Sequence, residues 1–319
     1  MMNNRRKLGK ADLMVSPIMF GGNVFGWTLD ETSSHKMLDS FVGAGFNFID
    51  TADTYSKWVP GNQGGESETI IGNWLKKTGK RSDVIIATKL GGDLGNNRKG
   101  LKPKYIKTAV EDSLKRLQTD HIDLYQSHYD DPETPVEETM QAFNELIQEG
   151  KVRYIGASNV SADRIKASNQ FATSNGLSPY VSLQPLYNLM ERQKFEKEYH
   201  SLVNDQSMAV LPYYALASGF LSGKYRSEED LDKSPRGQGV KKYLTPHGKN
   251  VLAVLDEVAG SHNVSPAQIA IAWLLHKQAV TAAIASATNE KQLNELMKAA
   301  TLALSPDQMQ RLDEASAYE

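Results

Sequence analysis

The sequence of 319 residues contains no cysteine. Disulfides, thiolate metal sites and a cysteine nucleophile are therefore excluded, and the composition is consistent with a reducing compartment. No apolar run approaches the roughly 20 residues that a membrane-spanning helix needs. The N-terminal stretch MMNNRRKLGKADL lacks an apolar core, so we expect no signal peptide and a cytoplasmic location.

Positive and negative charges are nearly balanced, and the net charge is −2. That balance gives no indication of a nucleic-acid or membrane partner. Hydrophobic residues make up 40% and charged residues 23%, as in ordinary globular proteins. The length suits one large α/β barrel or two smaller domains, and it leaves the oligomeric state unknown.

Several nucleotide and metal motifs are also missing. The stretch GGNVFGW offers only G-G-x-x-x-G in place of the dinucleotide motif G-x-G-x-x-G, and no Walker-type G-K-[ST] occurs. Neither H-x-x-x-H nor H-E-x-x-H is present, and without cysteine no metal site is predicted.

Short apolar runs alternate with longer segments of helical period. Eight runs are typical of strands: 16–22, 46–50, 84–90, 122–128, 153–159, 180–186, 208–214 and 281–287. This alternation predicts parallel strands with crossover helices, and eight units close into a (β/α)8 TIM barrel. We expect one domain over residues 1–319, with an N-terminal β-hairpin within residues 5–20 that plugs the bottom of the barrel. An open doubly wound sheet is the alternative.

Four predicted helices illustrate the helical pattern. Residues 103–117 place apolar side chains on one face at helical spacing. In the segment 134–150 we expect Thr134 to cap a helix that Gly150 ends. Ser161 and Ser305 are expected to cap two further helices.

A long polar loop, residues 219–249, follows strand seven and interrupts the alternation. It is rich in glycine and carries seven basic residues. A loop of this length is either a mobile surface insertion or a lid over an anionic ligand, and the sequence leaves both interpretations open.

Three ionisable residues end consecutive predicted strands. Asp50, Lys89 and His128 follow one another at a constant spacing of 39 residues. We therefore expect equivalent positions, in register, at the mouth of the barrel, where barrel enzymes keep their catalytic groups. Tyr55 follows in the loop after Asp50 and can reach the same mouth.

Such a cluster supports acid–base chemistry on a carbonyl group. A tyrosine hydroxyl has a pKa near ~10, and we expect the nearby ammonium of Lys89 to lower it. Asp50 would keep Lys89 charged and oriented, and a neutral His128 can donate to a carbonyl oxygen. A nucleophile toward carbon is missing from this cluster, and a bound hydride donor would fill that gap.

The segments FIDTADTY, ATKL and YQSH, which carry these four residues, resemble the catalytic tetrad of the aldo-keto reductase superfamily. The segments GESETIIGNWL, GASN, SLQPLYN and SATNEKQLNEL follow in family order over nearly the whole chain. The long loop is similar to that of the bacterial and potassium-channel β-subunit branch. The resemblance implies a barrel that reduces aldehydes and ketones with NADP(H), or less often NAD(H).

The resemblance also implies a role for each site residue. Tyr55 is the general acid, Lys89 tunes it, Asp50 supports Lys89, and His128 orients the carbonyl. The implied cofactor-binding residues are Gly22, Asn23, Ser158, Asn159, Gln184, Tyr213, Leu216, Ser218, Lys224, Ser286, Thr288, Asn289, Gln292 and Glu295. Gln292 stands where some reductases of this superfamily carry arginine, and NADP(H) is nevertheless favoured over NAD(H).

The substrate is constrained only to a small carbonyl compound. Trp27, Trp58 and Tyr129 lie in loops near the predicted mouth, where they would form an apolar pocket. The alternative interpretation is that these aromatic residues only cover the rim of the barrel.

Two alternatives to an NADPH-dependent carbonyl reductase remain open. One is a regulatory, non-catalytic subunit like the potassium-channel β subunits, which share the fold and the long loop. The other is an NAD-dependent sugar or polyol dehydrogenase. Retention of all four tetrad residues favours catalysis.

Overall fold

The computed structural model describes residues 4–318, in which a short antiparallel hairpin precedes an eight-stranded parallel sheet. In chain order the strands are β1 Arg6–Lys7, β2 Met14–Val15, β3 Ile18–Gly21, β4 Phe48–Asp50, β5 Ile85–Leu90, β6 Ile122–Ser127, β7 Val152–Ser158, β8 Ser182–Gln184, β9 Ala209–Val210 and β10 Ala283–Ala285. The eight predicted barrel strands are all present.

The parallel sheet runs in the order β10-β3-β4-β5-β6-β7-β8-β9. Its two ends meet, because Thr281 N–H donates to Val210 O at 2.9 Å and Ile284 N–H donates to Pro212 O at 3.0 Å. Strands that follow one another in the chain are neighbours throughout. This order confirms the TIM-barrel prediction and excludes a doubly wound sheet, in which the strand order reverses.

Helices surround the sheet. They are α1 Glu31–Gly43, α2 Glu66–Thr78, α3 Pro103–Leu117, α4 Val136–Gln148, α5 Ala162–Ser174, α6 His200–Asp205, α7 Pro246–His262, α8 Pro266–His276, α9 Glu290–Ala299 and α10 Pro306–Ala315. Within residues 4–318, no helix combines the length and the apolar character that crossing a bilayer requires.

Local sequence sets most of the helix starts. Ser161 and Ser305 cap α5 and α10, as predicted, by accepting hydrogen bonds from backbone N–H groups in the first turn. The predicted cap at Thr134 is wrong. The Thr134 hydroxyl donates instead to Asp131 Oδ2 at 2.7 Å, and Pro135 occupies the capping position.

The hairpin closes the N-terminal end of the barrel, as the sequence predicts. Leu8 and Leu13 are buried in the same apolar cluster as Phe48 and Leu124, which point into the barrel. Gly9 has φ +54°, and a Cβ there would lie 2.6 Å from Val181 O. Only glycine allows so close an approach of the hairpin to the strand ends.

The polar loop after β9 folds into short 3₁₀ helices, Ala217–Ser222, Glu228–Lys233 and Gly237–Tyr243. Phe220, Leu231 and Val240 are buried and join the main apolar core. The loop is therefore a packed part of the structure. It also ends earlier than predicted, because α7 begins at Pro246.

Candidate active site

Four side chains meet at the carboxyl end of the barrel. Asp50 ends β4, Lys89 lies in β5, His128 directly follows β6, and Tyr55 comes from the loop after β4. Lys89 Nζ lies 2.9 Å from Asp50 Oδ2 and 2.7 Å from Tyr55 Oη. The Tyr55 and His128 ring centroids are 6.0 Å apart. The arrangement is the convergence that the sequence predicts.

The predicted register of these residues is wrong. Asp50 pairs with Ala87 on β5, and Lys89 pairs with Gln126 on β6. Lys89 thus lies two residues beyond Ala87, the partner of Asp50, and His128 lies two residues beyond Gln126, the partner of Lys89. Because side chains alternate, a step of two keeps them on the same side of the sheet, and the stagger of tilted barrel strands brings their ends together.

Lys89 is fully buried, and its ammonium has three hydrogen-bond partners. Besides Asp50 and Tyr55, it donates to Thr51 O at 2.7 Å. An ammonium has three protons, so this set satisfies it completely. Lys89 is thereby fixed under the Tyr55 hydroxyl, although burial lowers its pKa and Asp50 opposes that shift.

The pKa of Tyr55 departs from the sequence-based expectation. We expected the Lys89 ammonium to lower it, but burial and the Asp50 carboxylate raise it well above its ordinary value. Tyr55 donates to Asp50 Oδ2 at 2.8 Å, and this bond exists only in the protonated form. At neutral pH the hydroxyl therefore holds the proton that a general acid must deliver.

His128 is buried and neutral. Burial and the Lys89 ammonium lower its pKa well below its ordinary value. The Thr54 hydroxyl lies 3.4 Å from His128 Nδ1, and the ring of Tyr129 stacks on the imidazole with centroids 4.6 Å apart. A neutral imidazole held in this way can donate one hydrogen bond to a ligand.

A cavity of about 1190 Å³ begins at these side chains and extends to α9. Its wall includes Asp50, Tyr55 and His128 of the tetrad and all three predicted substrate-pocket residues. Of the predicted cofactor residues it includes Asn23, Ser158, Asn159, Gln184, Tyr213, Leu216, Ser218, Lys224, Ser286, Thr288, Gln292 and Glu295.

Three of the predicted site residues lie outside that wall. Lys89 is buried behind Tyr55. Gly22 is also buried, and Gly21 lines the cavity in its place. Asn289 caps α9 by accepting a hydrogen bond from Gln292 N at 2.9 Å, so its side chain is engaged in the helix.

Comparison with known proteins decides the family. The family model described as Aldo/keto reductase family matches residues 17–317. The chain belongs to this family. Since the match covers nearly all of the described residues, the fold and the tetrad together fall within it.

The relatives of this aldo/keto reductase family member carry different names. A probable voltage-gated potassium channel subunit beta from Oryza sativa is 35% identical over 302 residues, which are 92% of this chain and 90% of the relative. Aldo-keto reductase YhdN from Bacillus subtilis is 35% identical, covering 86% and 81%. An aryl-alcohol dehydrogenase from Pestalotiopsis microspora is 30% identical, covering 97% and 81%. Family and relatives together support an oxidoreductase.

The cavity of this family member fits a nicotinamide cofactor. Its volume of about 1190 Å³ exceeds the roughly 300–1,000 Å³ of a pocket for one drug-sized ligand. Amide and hydroxyl groups line it beside Tyr55, including Asn159, whose Oδ1 accepts a hydrogen bond from Tyr213 Oη at 2.9 Å. At the far end, Thr288 lies just before the N-terminus of α9, where phosphate is favoured.

The structure adds residues that the sequence analysis did not select. Arg236, Tyr214 and Ser222 also line the cavity. The Arg236 guanidinium carbon lies 5.0 Å from the centroid of the Trp27 ring, so the polar loop reaches the loop after β3. The basic composition of residues 219–249 was the available signal for Arg236, but it did not distinguish among seven cationic residues.

Proposed function

We propose that this chain reduces aldehydes and ketones to alcohols, with Tyr55 as the general acid and a bound nicotinamide cofactor as the reductant. The observation on which this proposal rests is the position of the Tyr55 hydroxyl. It lies 2.7 Å from Lys89 Nζ and 2.8 Å from Asp50 Oδ2, at the cavity wall and beside His128. A phenol in this setting holds its proton at neutral pH, and the adjacent Lys89 ammonium can stabilise the phenolate that forms when the proton is transferred.

Each residue of the tetrad has its own role in the reduction of the carbonyl group. His128, being neutral, donates a hydrogen bond to the carbonyl oxygen and holds it beside Tyr55. The cofactor supplies a hydride to the carbonyl carbon when bound. As negative charge develops on oxygen, Tyr55 transfers its proton there, and Lys89 stabilises the phenolate that remains. Asp50 keeps Lys89 charged and oriented.

The cofactor is proposed to lie along the cavity in an extended form. Ser158, Asn159 and Gln184 would hold the carboxamide of the nicotinamide, and Tyr213 would stack on its ring. Leu216, Ser218 and Lys224 of the polar loop would contact the pyrophosphate.

NADP(H) is proposed over NAD(H). Ser286 and Thr288 present hydroxyls near the N-terminus of α9, and the partial positive charge there favours a phosphate. These features support binding of the additional adenosine phosphate. Titration of the cofactor-free protein with NADPH and NADH, followed by fluorescence, tests the preference directly.

A second candidate function is a non-catalytic, cofactor-binding subunit. The relatives named as potassium channel subunits favour it, because at 35% and 34% identity they match the chain as well as the named reductases do. The complete tetrad favours the catalytic alternative.

Oxidation of NADPH in the presence of a panel of aldehydes and ketones separates the two candidates. The wild-type protein should turn over, and Tyr55→Phe should lose activity by about 10²–10⁴-fold. Tyr318→Phe makes the same chemical change at an exposed tyrosine near the C-terminus and serves as the control. Equal rates for wild type and Tyr55→Phe would contradict the proposal.

A further inference from the structure

Gln184 connects the wall of the cavity to the tetrad. It ends β8, and its Nε2 donates to Asp50 Oδ1 at 3.0 Å across 134 residues of sequence. Both side chains are buried, with 2% of Gln184 and 0% of Asp50 exposed. This contact uses the amide nitrogen of Gln184, and the amide oxygen takes no part in it.

The two oxygens of Asp50 have different partners. Oδ2 accepts hydrogen bonds from Lys89 Nζ and from Tyr55 Oη, at 2.9 and 2.8 Å. Oδ1 accepts from Gln184, which is its one hydrogen-bond donor in the described part of the chain. The orientation of the carboxylate is therefore fixed from both sides, by the two acid–base groups at one oxygen and by an amide at the other.

The backbone of Gln184 is held rigidly. Ser158 and Gln184 are paired residues of β7 and β8, and the Ser158 hydroxyl donates to Gln184 O at 2.9 Å. An amide on a strand fixed in this way can determine the position of Asp50 Oδ1, because a buried carboxylate orients toward the hydrogen-bond donors around it.

We propose that Gln184 is a positioning residue for the acid–base group, holding Asp50 so that Oδ2 faces Lys89 and Tyr55 together. This role rests on the proposed function and is additional to any contact of Gln184 with a cofactor. It makes the proton chemistry of Tyr55 depend on a residue on the opposite side of the barrel mouth.

Removal of the amide has a definite electrostatic consequence. With no donor at Oδ1, the negative charge of Asp50 is less compensated and attracts the protons of Tyr55 and Lys89 more strongly. The other charged or titratable groups that act on Tyr55 include Tyr129, Tyr214 and Arg236, and those that act on Lys89 include Asp53, Glu68 and His128. The carboxylate of Asp50 is the group to which Gln184 donates.

The test is the pH profile of kcat at saturating NADPH for Gln184→Met, which keeps the length of the side chain and removes the donor. Loss of one hydrogen bond to a charged group should move the alkaline limb upward by about one pH unit. The control is Ser218→Ala, which removes a proposed pyrophosphate contact at the cavity wall and leaves Ser158, Gln184 and Asp50 in place. It should weaken cofactor binding and leave the alkaline limb where it is.

Gln184→Asn retains the amide on a shorter side chain and should recover part of the shift. If Gln184→Met fails to fold, Gln184→Leu also lacks the donor and takes its place. A protein with either substitution that binds the cofactor more weakly but keeps the wild-type pH profile would overturn the inference.

A second measurement is independent of turnover. Ultraviolet difference titration of the cofactor-free protein reports phenolate formation, and subtraction of the Tyr55→Phe titration isolates Tyr55. In Gln184→Met this signal should move to higher pH than in wild type, and an unchanged signal would contradict the inference. Absence of carbonyl reduction by the wild-type protein would refute the proposed function, whereas this titration would still decide the positioning role.

Discussion

Lys89 Nζ lies 2.7 Å from Tyr55 Oη and 4.3 Å from the centroid of the Tyr55 ring. The ammonium is therefore in direct contact with the hydroxyl and lies close to the ring of the same side chain. This contact stabilises the phenolate that remains after proton transfer more than the phenol that precedes it, which is the requirement for accelerating the transfer.

Lys89→Met should abolish most of the carbonyl reduction, by about 10²–10⁴-fold in kcat/KM, because the phenolate of Tyr55 loses its cation. It should also destabilise the fold by about 3–5 kcal/mol, since Asp50 becomes a buried charge without a counterion. Steady-state kinetics and urea unfolding measure the two effects.

The double variant Lys89→Met with Asp50→Asn is the control for that prediction. The second substitution removes the buried Asp50 charge that has lost its counterion, so part of the stability should return while activity stays low. Loss of stability that Asp50→Asn does not relieve at all would indicate that packing, and not charge, holds Lys89 in place.

His128 should make the stability of the protein depend on pH. Its pKa is lowered in the folded state by burial and by Lys89, so the unfolded chain binds a proton more readily. The stability that the neutral imidazole contributes is present above the ordinary pKa of about 6.5 and is lost as pH falls below it. His128→Gln should therefore lose less stability than wild type between pH 7 and pH 5, as measured by urea unfolding. Parallel curves for the two proteins would contradict the buried neutral state.

Asp53 should show the opposite dependence. Both of its carboxylate oxygens are buried and have no hydrogen-bond partner within residues 4–318, and burial together with Glu68 raises its pKa well above the ordinary value. A raised carboxyl pKa means that the unfolded chain releases the proton first, so stability falls as pH rises above about 4. Asp53→Asn removes this loss, and its stability relative to wild type should increase between pH 4 and pH 7. A constant difference in the free energy of unfolding would show that Asp53 is ionised in the folded protein.

Trp58 should contribute to the binding of aromatic substrates. It is 50% exposed, and its ring lies 5.6 Å from that of Trp27 and 6.2 Å from that of Tyr55. One aromatic pair is worth about 0.5–1.5 kcal/mol, so Trp58→Ala should raise KM for benzaldehyde about two- to tenfold more than for propanal. Tyr318→Ala removes an exposed aromatic ring outside the cavity and is the matched control. An equal increase in KM for both aldehydes would indicate that Trp58 only covers the rim.

Much of the site could be predicted because strand ends are local features. Asp50, Lys89 and His128 each lie at or next to the end of a strand whose apolar residues are contiguous in sequence, and parallel strands place such ends at one edge. The register could not be predicted, since the stagger between neighbouring strands depends on closure of the whole barrel. Arg236 could not be predicted either, for a similar reason. The path of residues 219–249 depends on what their buried side chains pack against.

The sequence by itself determined the alternation of strands and helices, most helix caps, and the kinds of chemical group at the mouth of the barrel. These depend on side-chain periodicity and on hydrogen bonds between residues close in the chain. Tertiary structure alone decided the protonated state of Tyr55, the neutral state of His128 and the link from Gln184 to Asp50. Each of these is a balance of burial against charges and donors that come from distant strands, and no spacing in the sequence records it.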